Sequence, residues 1–117
     1  MSDKELKLQF TPKPPPTDPA EIHFKNAWQH RKFKRYREAV DEFQKSLEHN
    51  PDKGATHFNL ALVYDQLKEG TQARTHAGKA LELFEREQNP SNIAAAQNLL
   101  RKLGRNAAKP DSESPPH

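Results

Sequence analysis

Residues 20–53 and 54–87 of this 117-residue chain are two versions of one segment, offset by 34 positions. His23 falls on His57, Phe24 on Phe58, Ala27 on Ala61 and Lys34 on Lys68; further on, Ala39 meets Ala73, Lys45 meets Lys79, Leu47 meets Leu81 and Glu48 meets Glu82. Phe33 over Leu67 and Ser46 over Ala80 keep size without identity. A period of about 34 residues is the length of one helix–turn–helix unit in a stacked array. Such units bury their apolar faces on one another and present a surface rather than an enclosed pocket.

Punctuation within each unit predicts five helices. Asp18 caps the first, Pro19 suits its first position, and Glu21 completes a capping box. That helix is expected to run to about Lys34. The second spans Arg37–His49 and stops before Asn50-Pro51, because proline disfavours helix in the residue preceding it. The third is expected from Asp52 to Lys68, with Gly70 as a left-handed C-cap. Thr71 is read as the cap of the fourth, Gln72–Glu87, and Asn89-Pro90 opens the fifth, which is expected to close at Gly104. Connections this short make consecutive helices antiparallel. Small residues mark where backbones approach: Ala27, Ala39 and Ser46 in the first unit, Ala61, Ala73 and Ala80 in the second.

These residues resemble the tetratricopeptide repeat family. The second unit carries Leu60-Ala61, Tyr64, Ala73 and Ala80; the first carries Ala27, Tyr36, Glu38-Ala39, Phe43, Ser46 and Pro51; Ile93, Ala96, Leu100, Leu103 and Gly104 look like half of a third. The resemblance implies an all-α fold of antiparallel helix–turn–helix repeats stacked as a short right-handed solenoid. Repeat 1 would cover 20–53, repeat 2 54–88 and a capping helix 90–104, together a domain of residues 19–104. Two departures stand out. The first helix has His23, Asn26 and His30 where large apolar residues are usual, with the bulk moved to Phe24 and Trp28. The second repeat lacks its closing proline, Glu85 standing there, so the fourth helix should overrun by about a turn.

The flanks read differently. Residues 1–18 contain Pro12-Lys13-Pro14-Pro15-Pro16, and residues 105–117 contain Lys109-Pro110 and Ser114-Pro115-Pro116. Proline removes donors and favours extended chain, so both are expected as disordered tails, linkers or ligands for other modules. Each tail balances its bases and acids, so the formal charge of +3 belongs to the middle. It concentrates in Lys25, Arg31, Lys32, Lys34, Arg35 and Arg37, a run with no acid inside it and with Phe33 and Tyr36 interleaved. A solvated helix end explains such a run, since cations near a helix C-terminus are favoured by its dipole. An anionic protein partner explains it as well. Nucleic acid is the weaker reading, because no recognised nucleic-acid motif accompanies the run.

In the resembled family the first helix of each repeat lines a concave face. Carried over, this implies Glu21, Phe24, Lys25, Trp28, Arg31 and Lys32 from the first helix; Ala55, Phe58, Asn59, Leu62, Asp65 and Gln66 from the third; and Ala94, Ala95, Asn98, Arg101 and Lys102 from the fifth. The candidate partner-binding set is a floor of Phe24, Trp28, Phe58 and Leu62 with Asn59, rimmed by Lys25, Arg31, Lys32 and Arg101. Phe24 and Trp28 are four apart and share a helix face, so core packing is as open to them as a groove. Some family members grip a chaperone's C-terminal carboxylate with two residues on the first helix, one on the third and two on the fifth. Of those positions only Asn59 matches; Phe24, Trp28, Ser91 and Ala95 stand at the others, which rejects the clamp.

The function implied is a non-enzymatic adaptor that binds a peptide segment, acidic peptides included, on its concave face. The rival is a self-associating subunit, a homodimer through an apolar edge of Ile93, Leu99, Leu100 and Leu103. Nothing points to catalysis. The chain has no cysteine, and its four glycines are too scattered for a phosphate loop. No histidine pair has the i, i+4 spacing of a helical chelate, so no metal and no cofactor are expected. No secretory h-region follows Met1, and no apolar stretch approaches the roughly 20 residues of a membrane span, so a cytoplasmic protein is expected.

Overall fold

The computed structural model of the chain describes residues 17–108, with side chains to Arg105. The proline-rich stretches singled out above lie outside the described residues. Five helices follow in order: α1 Pro19–Lys32, α2 Tyr36–His49, α3 Gly54–Gln66, α4 Gly70–Arg86 and α5 Pro90–Ala108. Each packs chiefly on its neighbours in sequence, α2 on α1 and α3, and α4 on α3 and α5. Among the described residues no helix is long and apolar enough to cross a membrane.

The turn inside each hairpin is made the same way. Lys34 lies in the left-handed region at φ 63°; its N–H donates to the Arg31 carbonyl at 3.0 Å, and the Arg35 N–H reaches back to the His30 carbonyl at 2.8 Å. This is the Schellman closure of a helix. It recurs at Lys68 (φ 64°), with bonds to Asp65 and from Glu69 to Tyr64, and at Gln88 (φ 55°), with bonds to Glu85 and from Asn89 to Phe84. The residue that completes each closure, Arg35, Glu69 or Asn89, is also the N-cap of the next helix. Three-residue connections therefore suffice to reverse the chain.

Several cap assignments made from sequence are corrected by this arrangement. Lys68, not Gly70, takes the left-handed position, and Gly70 is the first residue of α4, so the cap of α4 is Glu69 rather than Thr71. The first helix stops at Lys32 because the closure needs Lys34 out of helical geometry. Asp18 does cap α1, accepting the Ala20 N–H at 3.1 Å, but Glu21 turns away from it to pair with Lys53. Asn89 caps α5 through the Asn92 N–H at 3.2 Å. The helix does not close at Gly104; it continues to Ala108, since Arg105-Asn106-Ala107-Ala108 carries no breaker and one helical glycine costs only about 1 kcal/mol. The overrun of the fourth helix is present: α4 has 17 residues against 14 in α2.

Two clusters of buried side chains form the core. The larger holds Ala27, Ala39, Val40, Phe43, Leu60, Ala61, Val63, Tyr64, Ala73, Ala77, Leu99 and Leu103; the smaller holds Ala80, Phe84 and Ala96. Ala27, Ala39, Ala61, Ala73 and Ala80 are fully buried, and these small side chains let the hairpin backbones come close. Leu99 and Leu103 are 5% and 2% exposed, so half of the expected apolar edge of the last helix is turned inward. Ala94, Gln97, Asn98, Arg101 and Arg105 face outward, which gives α5 a polar outer side.

Candidate peptide-binding hollow

α1, α3 and α5 alternate with α2 and α4, so their C-terminal ends come together at one end of the domain. Between those ends lies a hollow of about 320 Å³. Its walls are Trp28, Arg31 and Lys32 from α1, Lys34 from the turn, Tyr36 from the start of α2, Leu62, Asp65 and Gln66 from α3, and Lys102 from α5. Trp28 is 42% exposed, the largest side chain in the protein left open to this degree. Leu62 is half-buried and packs against the core from beneath. The site thus pairs an aromatic wall and an aliphatic floor with four bases.

The charge is unbalanced. Asp65 is the acid of the hollow, and Lys102 Nζ already meets it at 3.3 Å. Arg31, Lys32 and Lys34 make no ion pair among the described residues, whereas Arg37 just outside is held by Glu69 at 2.6 Å and Lys53 by Glu21. Three cations beside an aromatic face and without counter-charge attract a ligand that brings carboxylates and an apolar side chain.

The nine residues singled out in the sequence separate here. Trp28, Arg31, Lys32 and Leu62 line the hollow together. Phe24 and Lys25 line a second, more open depression of about 460 Å³ along α1, with Glu21, Trp28 and Gln29. Phe24 is half-buried, edge-on to Phe43 with ring centroids 5.6 Å apart, and Lys53 Nζ sits 4.9 Å above its ring. Phe58 is not in either depression: it packs between the two core clusters, 6.2 Å from Phe84. Asn59 donates to the Ala55 carbonyl of its own helix at 2.8 Å. Arg101 is exposed and bonds Asn98; Lys102, one position on, points into the hollow instead. Lys34 and Tyr36 were not among the nine, although both belong to the basic run with its interleaved aromatics.

The histidines pack rather than chelate. The ring of His57 stacks on that of His76 at 5.2 Å, and His76 stacks on Tyr64 at 5.6 Å. His57 Nε2 lies 2.9 Å from the Pro51 carbonyl, which only accepts, so Nε2 carries the proton. His57 Nδ1 is then the acceptor, and His76 Nδ1 donates to it at 3.0 Å. Burial pushes both imidazoles below their ordinary pKa, with the charge of Lys79 adding to the effect at His57 and that of His57 at His76. Tyr64, whose phenol burial raises, accepts from Gln44 at 2.9 Å and ties α2 to α3. Among the described residues no three His, Asp or Glu side chains are placed to hold a metal ion.

No family model matches the chain, and no curated protein aligns with it significantly. Solved structures do. The solution structure of a tetratricopeptide repeat domain protein from Salinibacter ruber superposes with a TM-score of 0.67 at 22% identity, covering 77% of this chain and 90% of that one. A crystal structure of a tetratricopeptide repeat domain protein from Salinibacter ruber gives 0.67 at 20% identity, covering 73% and 94%. The first TPR of Spaghetti (RPAP3), bound to the HSP90 peptide SRMEEVD, gives 0.52 at 21% identity, covering 80% and 97%. The chain has the tetratricopeptide-repeat fold, with two repeats and a fifth helix stacked on them.

Proposed function

We propose that this tetratricopeptide-repeat fold is a non-enzymatic protein-interaction module that takes a peptide segment in the hollow between α1, α3 and α5. The ligand chemistry is an apolar side chain flanked by aspartate or glutamate. One observation carries the reading: Trp28 stands 42% exposed over Leu62, beside Arg31, Lys32 and Lys34, which lack counter-charge among the described residues. Leaving a tryptophan open to this degree forgoes burial of about 60–100 Å² of the roughly 150–250 Å² such side chains bury. Tryptophan and arginine are the residue types over-represented as anchors at protein interfaces. A structural neighbour holding a peptide with two glutamates and an aspartate supports the same class of partner.

Lys102 and Asp65 would act as an adjustable gate post. An incoming carboxylate competes with Asp65 for the ammonium, so the existing 3.3 Å pair favours ligands that offer the lysine an equivalent partner. The Lys102 side chain is half exposed and free to swing, whereas Asp65 is only 18% exposed and stays in the wall. Self-association through α5 has less support, because Leu99 and Leu103 are spent on the core.

Trp28 is the single tryptophan, so its fluorescence reports directly on the hollow. Titration with synthetic peptides carrying one leucine or methionine among glutamates should quench or shift its emission, with affinity that falls as salt rises. Arg31→Glu/Lys32→Glu should weaken binding by at least tenfold and flatten the salt dependence. If affinity were indifferent to this charge reversal and to Leu62→Asp, the assignment of the hollow would be wrong. Light scattering across protein concentrations addresses the rival, since a monomer at all of them excludes assembly through α5.

A further inference from the structure

The hollow has a candidate occupant within the chain. α5 contributes Lys102 to its wall and runs on only to Ala108, about 9 Å further along the helix axis. The polypeptide therefore continues from the same end of the domain at which the hollow opens. The next residues are Lys109-Pro110-Asp111-Ser112-Glu113-Ser114-Pro115-Pro116. The N-terminal segment, by contrast, joins α1 at Pro19, at the opposite end.

We propose that residues 109–116 fold back over α5 and occupy the hollow, competing with any outside peptide; this rests on the ligand chemistry assigned above. Reach permits it. An extended chain covers about 3.3 Å per residue, so Asp111 comes level with Lys102 and Pro115 extends about 23 Å from Ala108. Side chains of α1, α3 and α5 line the hollow together, with Trp28, Arg31 and Lys32 reaching in from the α1 side, so that span carries the segment across it. The chemistry matches as well. Asp111 and Glu113 supply two carboxylates to Arg31, Lys32 and Lys34, and Pro115-Pro116 supplies rigid apolar rings to Trp28 and Tyr36. Prolines against aromatic walls are a recurring mode of peptide recognition, because the segment has little conformational entropy to lose.

The absence of cysteine makes the test direct. Ser114→Cys in the full chain takes a nitroxide spin label at one position. Paramagnetic broadening is then read at the Trp28 indole N–H and the Leu62 methyls, with Ile22 and His49 at the far end as references. Docking predicts several-fold stronger broadening in the hollow than at the references, lost on Arg31→Glu/Lys32→Glu. It also predicts no broadening when spin-labelled chain is mixed with isotope-labelled chain lacking the nitroxide. Equal broadening at all sites overturns the proposal, and so does broadening that appears only in the mixture, which would assign the segment to a second copy. A second arm separates this idea from the one beneath it. Asp111→Lys/Glu113→Lys should raise the affinity of an added acidic peptide at least threefold. Peptide binding without selective broadening defeats the self-ligand alone. Selective broadening with no peptide bound, even by this variant, defeats the adaptor reading and leaves the hollow as the segment's own seat.

Discussion

Lys34 and Lys68, 34 residues apart, share one backbone conformation, with φ of 63° and 64° in the left-handed region. Side chains other than glycine adopt that region at a cost of about 1 kcal/mol or more, because Cβ approaches the following carbonyl. The repeat thus preserves a mildly strained lysine at the pivot of each hairpin, and glycine comes two residues late, at Gly70.

Lys68→Gly is expected to raise stability by about 0.5–1 kcal/mol, less the extra freedom glycine gains in the unfolded chain. Lys68 is exposed and makes no ion pair among the described residues, so little else is lost. Urea unfolding should show the midpoint moving up with an unchanged slope; a lower midpoint would mean that the lysine side chain itself supports the turn.

Gly54 is the counterpart of Ala20 in the first repeat, and the two positions differ for a packing reason. A Cβ on Gly54 would lie 2.7 Å and 2.9 Å from ring carbons of Phe84, closer than real contacts allow. The position equivalent to Phe84 in the first repeat is Asn50, which is exposed and leaves Ala20 its room. Gly54→Ala should destabilise by about 1–3 kcal/mol, the range for overpacking a filled site. Gly54→Ala combined with Phe84→Leu should cost less than the sum of the two single changes, and calorimetry of all four proteins measures that coupling.

Ser46, where the second repeat has Ala80, is fully buried and donates to the Ala20 carbonyl at 2.7 Å. Its hydroxyl joins the start of α1 to α2. Ser46→Ala should cost about 1 kcal/mol, the usual net worth of an intramolecular hydrogen bond. Hydrogen exchange should report the loss first as faster opening of the first turn of α1, with the second hairpin unaffected.

Stability should decline on mild acidification. Burial holds His57 and His76 neutral, with folded pKa values below the ordinary value near 6.5, so the unfolded chain binds protons first as pH falls. The sign follows: stability is full above about pH 6.5 and is lost as pH drops toward the folded values, by at most ~1.4 kcal/mol per pH unit for each group. Glu42 acts in a lower window. The hydrogen bond from His23 holds its carboxyl below the ordinary value of 4.5, so its contribution persists above that value and disappears as pH falls beneath it. His76→Leu should therefore flatten the dependence just below about pH 6.5 and leave the acid limb of Glu42 intact. An unchanged slope would show that the stacked pair is not its source.

Much of the fold was legible from residues alone. The offset of 34 identified the unit, the alanines located the seams, and Asn50-Pro51 and Asn89-Pro90 placed two of the breaks. The candidate site was less so. Trp28, Arg31, Lys32 and Leu62 line the hollow, whereas Phe58 is half-buried against both core clusters and Lys102 rather than Arg101 is on the wall. Phe24, Ala27 and Trp28 form one stripe along α1 with Ile22 off it, and spacing does not specify that Ala27 is sealed while Trp28, at the edge of the stripe, stays open.

The order and kind of the helices follow from local chemistry: a recurring apolar pattern, helix-stopping prolines, and connections too short for anything but reversal. The rotation of each helix about its axis does not. One residue turns a helix by about 100°. The choice between Arg101 and Lys102, or between a buried and an open Trp28, is therefore made by how Leu99 and Leu103 seat against the core and how Phe43 receives Phe24. Those contacts join residues from different helices, and they come into being only once the chain has folded.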